Sequence, residues 1–353
     1  MKSILKAVFV IIGTTIGAGF ASGQEIWIFF NQYGNLGIAG MIVACSLFGI
    51  LIYQVFRTLQ KENINNYAEL LTKISHKKVF SQVISIIISL FLLISFYIMI
   101  AGMSAYFEQE FSLPIWIGAI IMSAFCYITL QRGTKGIVLV NSILIPCLIL
   151  FILYLGLKNV TFSMNYFQSE TVTSNYSWNW LFSGILYASY NTIILVPILT
   201  ELKAYVNSKK MAMITSLLCT IILSALGICI FCLLLRNSNV YRFELPMVEV
   251  AKNFGRACQY IYGGVVAVAI FTSAISAGYG FLQNEVAKKE FKRGDIEKRK
   301  SKYYQKLLLG ICILAPLVAN FGFSNLVSRL YPIFGLLGLF QMVLIGKCAI
   351  SKF

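Results

Sequence analysis

Long apolar stretches separated by short polar ones run the whole length of the chain. They cover residues 4–30, 36–56, 79–107, 114–131, 136–157, 178–202, 210–235, 257–283, 307–327 and 331–349. Most exceed the roughly 20 residues that a helix needs to cross a hydrocarbon core. Strands of a membrane barrel would need only about ten alternating residues. Run length therefore predicts an all-α membrane protein of about ten transmembrane helices. The first run lacks a small-residue cleavage pattern and continues into a glycine-rich segment, so it reads as a membrane helix and not as a leader.

Three polar segments between the runs have patterns of their own. Residues 57–78 place Tyr67, Leu70, Leu71 and Ile74 at helical spacing, which predicts a short interfacial helix. Residues 239–255 put Met247, Val250, Ala251 and Phe254 on one helical face, as expected of a helix capping an outer vestibule. Residues 284–306 read as a basic loop lying near anionic lipid.

Composition agrees with the run lengths. Only 12% of the 353 residues are charged, against roughly 25% in a soluble domain, too few to cover a water-facing surface. A formal charge of +16 would suit a nucleic-acid partner if it formed a patch, but the basic residues sit in the gaps between apolar runs. With the N-terminus inside, lysine and arginine gather on the cytoplasmic side. Lys158, Arg236, Arg242, Lys252, Arg256 and Arg329 are the ones left outside. The positive-inside rule then places both termini and residues 284–306 in the cytoplasm.

Catalysis finds no foothold. Cys229 and Cys232 form a C-x-x-C pattern inside an apolar run, one turn apart, and read as packing residues. The lone histidine, His76, sits among lysines and makes no metal site by itself. No nucleotide loop or metal cluster is visible, so the reading is of a non-enzyme without a resident cofactor.

Two runs are hostile to an unbroken helix. The first contains GTTIGAGFASGQE, from Gly13 to Glu25, with glycines at 13, 17, 19 and 23 and polar side chains at Thr14, Thr15, Ser22, Gln24 and Glu25. Each glycine costs about 1 kcal/mol relative to alanine. Close helix packing through G-x-x-x-G pairs accounts for the glycines but not for the added Gln and Glu, so local unwinding is expected. The sixth run has a polar centre, Tyr187-Ala188-Ser189-Tyr190-Asn191, and a proline at Pro197, which removes a backbone donor. These runs lead two five-helix halves, about 4–157 and 178–349. Five is odd, so the halves are inverted, and paired interruptions in inverted halves point to a midplane transport site.

The GTTIGAGFASGQE, FTSAISAGYG and NLVSRLYPIFGLLG segments resemble the YkvI-like bacterial membrane proteins, within the amino acid–polyamine–organocation superfamily. That resemblance covers the whole chain and implies the leucine-transporter fold, a 5+5 inverted repeat with interrupted helices 1 and 6. It also implies a multi-pass location in the bacterial cell membrane and secondary transport of a small-molecule solute. A non-transporting ligand sensor or receptor subunit of the same fold is the alternative.

Residue by residue, the resemblance implies one sodium site from the carbonyls of Gly13, Ile16 and Ala269 and the hydroxyls of Thr272 and Ser273. Those hydroxyls could equally bond back to their own helix. A second sodium site would need an asparagine where Phe20 stands. The amides around Gly17, Ala18 and Gly19 are expected to approach a carboxylate. Relatives that carry amines have an acid at the Gly17 position, and its absence favours an amino acid or related carboxylate. Ser189, Tyr190, Asn191, Tyr97 and Ser276 are lining candidates, each as consistent with ordinary interhelical bonding as with solute contact. Gln24 and Glu25 are candidates for gating or proton coupling. Glu25 lies roughly 8 Å below the outer end of its helix at 1.5 Å per residue, where a carboxylate fits proton coupling, gating or a structural pair.

Overall fold

The computed structural model describes residues 2–64, 67, 69–70, 78–132, 146–158, 179–289 and 296–350. Every regular element among them is helical. Seven helices are long and apolar enough to cross a membrane: Leu36–Lys61, Gln82–Phe111, Asn179–Tyr205, Lys209–Arg236, Arg256–Val286, Lys302–Ala319 and Phe323–Lys347. Shorter apolar helices at Ser3–Thr15, Ile115–Gln131 and Pro146–Lys158 take the first, fourth and fifth positions. The ten expected spans are thus all represented, although residues 136–145 of the fifth lie outside the described residues. Leu150, Leu157, Phe125, Ile221, Ile313 and Leu317 are exposed on the outer faces of these helices. Such faces suit lipid, because each helix satisfies its own backbone and shows only hydrocarbon.

Several boundaries differ from the expected ones. The second span runs on to Lys61, and the eighth to Lys288. The ninth is a helix over Ile296–Ala319 and the tenth begins at Phe323, so much of the expected 284–306 loop is helical. The chain turns at Gly322, whose φ of +79° favours glycine, and not near Arg329. Arg329 is exposed on the tenth helix. In the 57–78 segment Tyr67 and Leu70 are helical, Leu70 is buried, and Gln341 Nε2 donates to Tyr67 Oη at 3.2 Å. Leu71, Ile74 and His76 lie outside the described residues. The outer segment forms the expected helix, Pro246–Lys252, with Met247, Val250 and Ala251 buried.

Neighbour relations divide the spans into two groups. The third, fourth, eighth and ninth pack on one another. The second, sixth and seventh form another set, joined by the first, and the tenth lies along the sixth. Within the first span, Ala18–Ala21 contacts the eighth span, whereas Lys2–Thr15 contacts the sixth and seventh. The first span therefore leaves the second group over Ala18–Ala21 and returns to the sixth, seventh and tenth spans over Gln24–Phe29, each change falling where its helix breaks.

The expected break in the sixth span is absent: Asn179–Glu201 is one helix with Pro197 inside it. Its polar centre is satisfied locally. Asn191 Nδ2 donates to Tyr187 O at 3.0 Å, and Thr192 Oγ1 to Ser189 O at 2.7 Å. The tenth span also approaches closely through glycine. A Cβ at Gly335 would lie 2.9 Å from Leu186 O, and one at Gly338 would collide with Ser189 O. Small residues here let two backbones meet, so the polar centre serves packing without unwinding.

Candidate transport site

The first span is three helices, Lys2–Thr15, Ala18–Ala21 and Gln24–Phe29. Gly17 is extended, with φ −82° and ψ −174°. Its amide donates to Thr15 O at 3.0 Å and not to Gly13 O. Among the described residues Gly13 O and Ile16 O accept no backbone hydrogen bond. Ala18, Gly19 and Phe20 open a new helix, where the first amides lack an intrahelical acceptor. Gly23, at φ +82°, makes the second break, in a region that side-chain-bearing residues rarely adopt.

The broken segment is held from two sides. Tyr262 Oη of the eighth span donates to Ala21 O at 2.6 Å. Met247 N of the outer helix donates to Ser22 O at 2.9 Å. At the first break a Cβ on Gly17 would lie 3.9 Å from Ser273 Oγ, an ordinary contact. At Gly19 a Cβ would collide with the Glu25 carboxyl group, which folds back onto the glycine.

Glu25 is buried at 4% exposure, and among the described residues it has no ion pair. Tyr190 Oη donates to its Oε2 at 2.5 Å. Tyr187 also faces the carboxyl group, yet its buried hydroxyl has no hydrogen-bond partner of normal geometry. Tyr331 of the tenth span is a further electrostatic neighbour. The rings close round this point: Tyr190 lies 4.7 Å from Tyr331, 5.5 Å from Tyr187 and 5.7 Å from Phe29, centroid to centroid. Phe29 also lines an open cavity of about 370 Å³ bordered by Trp27, Gln32, Asn179, Phe182 and Ser328.

Above this cage a polar chain ties the outer elements together. Gln24 Nε2 donates to Ser324 Oγ at the start of the tenth span, while Gln24 Oε1 is buried and unpaired. Ser324 N donates to Glu244 Oε2 at 2.5 Å. Burial pushes the Glu244 carboxyl above its ordinary range, a shift opposed by the bonds from the Ser324 and Phe323 amides. Gln109 of the third span exchanges bonds with both backbone groups of Leu245.

The other expected residues divide sharply. Ser273 faces the first break, as above. Thr272 Oγ1 donates to Ala269 O at 3.1 Å, the local bond described for such hydroxyls. Ser276 is exposed and donates to Thr272 O at 2.9 Å, which turns it toward its own helix. Ser189 is buried and directs its hydroxyl at Leu186 O and at Gly335 O of the tenth span. Asn191 is bonded within its helix. Tyr97 stands near Cys312 of the ninth span. Tyr190 is thus the lining candidate that meets Glu25.

Two features escaped the sequence reading. Tyr262 and Tyr331 carry no pattern that separates them from other aromatics in apolar runs. At the opposite end of the eighth span, Ser89 of the third span receives bonds from Asn284 and Lys288, both at 2.6 Å, and donates to Glu285 at 2.7 Å. The hydroxyl so uses its one hydrogen and both lone pairs, joining two spans that run length alone could not pair.

No protein-family model matches the chain. The Bacillus subtilis protein named "Uncharacterized membrane protein YkvI" is 30% identical over 345 residues, covering 96% of this chain and 93% of the relative. The chain belongs to the YkvI family. A second relative, the B. subtilis "Uncharacterized protein YyaD", is 26% identical over 340 residues, with 96% and 95% covered. Three solved structures place this YkvI-family chain in the leucine-transporter fold. Mhp1 in its inward-facing conformation has a TM-score of 0.64 at 12% identity, covering 98% of this chain and 75% of that one. A Na+-coupled sialic acid symporter in a substrate-bound outward-open state gives 0.65 at 15%, with 97% and 78% covered. MhsT in complex with L-phenylalanine gives 0.63 at 16%, with 97% and 88% covered. At such identities the likeness is one of fold.

Proposed function

We propose that the protein is a secondary transporter that carries a small amino acid or related carboxylate together with sodium across the bacterial cell membrane. The observation that carries this reading is the break at Ile16–Gly17. It lies where the first span passes from one helix group to the other and faces Ser273 of the eighth span. A site shared by two groups that move relative to each other is what alternating access requires.

In this reading the solute's carboxylate meets the amides of Gly17, Ala18 and Gly19. Sodium sits among Gly13 O, Ile16 O, Ala269 O, Thr272 Oγ1 and Ser273 Oγ. It is a hard cation and suits oxygen donors. Gly13 O and Ile16 O lack backbone donors, and the Thr272 hydroxyl need only turn its hydrogen away from Ala269 O for both oxygens to face an ion. Two of the structural neighbours support the reading by their own ligands, one described as Na+-coupled and one bound to L-phenylalanine. The distribution of lysine and arginine supports cytoplasmic N- and C-termini.

A thermal-shift screen of the purified protein against the protein amino acids, in sodium chloride and in choline chloride, tests the proposal. At least one amino acid is expected to raise the midpoint, and to raise it more in sodium. Stabilisation that is equal in sodium, potassium and choline would remove sodium and leave proton coupling through Glu25 in its place. No stabilisation by any amino acid would refute the solute class.

A further inference from the structure

We propose that Glu25, Tyr187, Tyr190 and Tyr331 form the receptor for a primary ammonium group on the transported solute. The inference rests on the transport site proposed above and adds the chemical feature that the solute must carry.

A carboxyl group deep in a membrane protein needs a counter-charge or a proton. Glu25 has no basic partner among the described residues, and Tyr190 makes the hydrogen bond of normal geometry that it receives, although a carboxylate has about four acceptor positions. A second buried group stands at the same point: the Tyr187 hydroxyl faces the carboxyl and Tyr190 but completes no hydrogen bond of normal geometry. The remaining walls are aromatic. Phe29, Tyr187, Tyr190 and Tyr331 lie with centroids 4.7 to 5.7 Å from a neighbouring ring. A carboxyl group set among aromatic side chains suits an organic ammonium ion, which aromatic rings also attract.

The donor count agrees. A primary ammonium has three N–H donors. Glu25 Oε1, the Tyr187 oxygen and the free lone pair of the Tyr190 oxygen supply three acceptors, and Tyr190 keeps its own bond to Oε2. Sodium fits this point less well, since aromatic side chains stand where it would need most of its oxygens.

Position connects the receptor to the rest of the site. The Glu25 carboxyl packs against Gly19, beside the amides that are proposed to receive a carboxylate. The two charged groups of a small zwitterion are separated by a single carbon, so both can be held without an extended pocket. Phe29 belongs both to the cage and to the lining of the open cavity beside Trp27 and Phe182.

The experiment compares matched compounds on the full-length protein by calorimetry in sodium chloride. Each protein amino acid is tested beside the acid that lacks its amino group, for example L-alanine beside propionate. The best-binding amino acid is expected to bind at least about 100-fold more tightly than its deaminated partner, the kind of discrimination shown by a site built to bond a polar group. Glu25→Gln should weaken the amino acid by at least about tenfold and leave the deaminated acid unchanged. Should Glu25→Gln fail to fold, Tyr187→Phe keeps the ring and removes the unpaired hydroxyl, and a several-fold loss for the amino acid alone is expected. Equal binding of amino acid and deaminated acid by the unmodified protein would overturn the receptor while leaving the transport site standing. Binding of neither series would overturn the proposed solute class, and the receptor with it.

Discussion

Gly17 and Gly19 look interchangeable in the sequence but not in the structure, and replacing each by alanine exposes the difference. Gly19 belongs to the short helix Ala18–Ala21 and has no positive φ. On backbone grounds alanine there would gain about 1 kcal/mol of helix propensity. Its Cβ, however, would occupy the place of the Glu25 carboxyl group. Moving that carboxyl breaks the buried bond from Tyr190, at about 1–3 kcal/mol, and crowds the side chains around it at about 1–3 kcal/mol. The net expected loss for Gly19→Ala is about 3 kcal/mol. At Gly17 the nearest atom to an added Cβ is Ser273 Oγ at 3.9 Å, and φ is −82°. Gly17→Ala should therefore stay within about 0.5 kcal/mol. Thermal unfolding in detergent reads the pair: Gly19→Ala should lower the midpoint by about 6 °C, at about 2 °C per kcal/mol for a large domain, and Gly17→Ala hardly at all. In a Glu25→Ala background the cost of Gly19→Ala should fall below about 1 kcal/mol, because the obstructing group is gone. An unchanged cost in that background, or equal losses at the two glycines, would refute the fold-back of Glu25.

Ser89→Ala is expected to lower stability by about 1–2 kcal/mol, since three polar partners lose the hydroxyl of a buried serine that they share; a midpoint shift under about 1 °C would deny the junction any role. Thr272→Ala combined with Ser273→Ala should weaken sodium-dependent solute binding with folding retained, read as the ratio of affinities in sodium and choline. An undiminished ratio would move the ion elsewhere. A cysteine placed at Lys298, in a background without native cysteines, should resist an impermeant reagent added outside intact cells. Labelling there would reverse the topology.

Span number and the break in the first span were legible because both are statements about backbone energetics. A run of twenty apolar residues has few alternatives in lipid, and four glycines within GTTIGAGFASGQE weaken any helix. The sixth span misled for a related reason. Its Tyr-Ala-Ser-Tyr-Asn centre and Pro197 looked equally hostile, but the bonds that quiet the polar centre come from within the helix and from Gly335, nearly 150 residues away. The boundary between the ninth and tenth spans was misplaced because Arg329 was read as a loop charge, whereas Gly322 makes the turn. Glu25 was recognisable as costly from its position. Its partners were not, since Tyr187, Tyr190 and Tyr331 reach it from two other spans and a sequence does not record which way a carboxyl group folds.

Transport itself is the central claim, and uptake into proteoliposomes tests it most directly. Purified protein is reconstituted, loaded with potassium, and offered the amino acid that binds best, with an inward gradient of sodium or of choline outside. The account predicts accumulation above equilibrium in sodium alone, abolished by a sodium ionophore and reduced by Thr272→Ala with Ser273→Ala. Binding of that amino acid with no uptake under any gradient would contradict it and identify the chain as a sensor built on a transporter's fold.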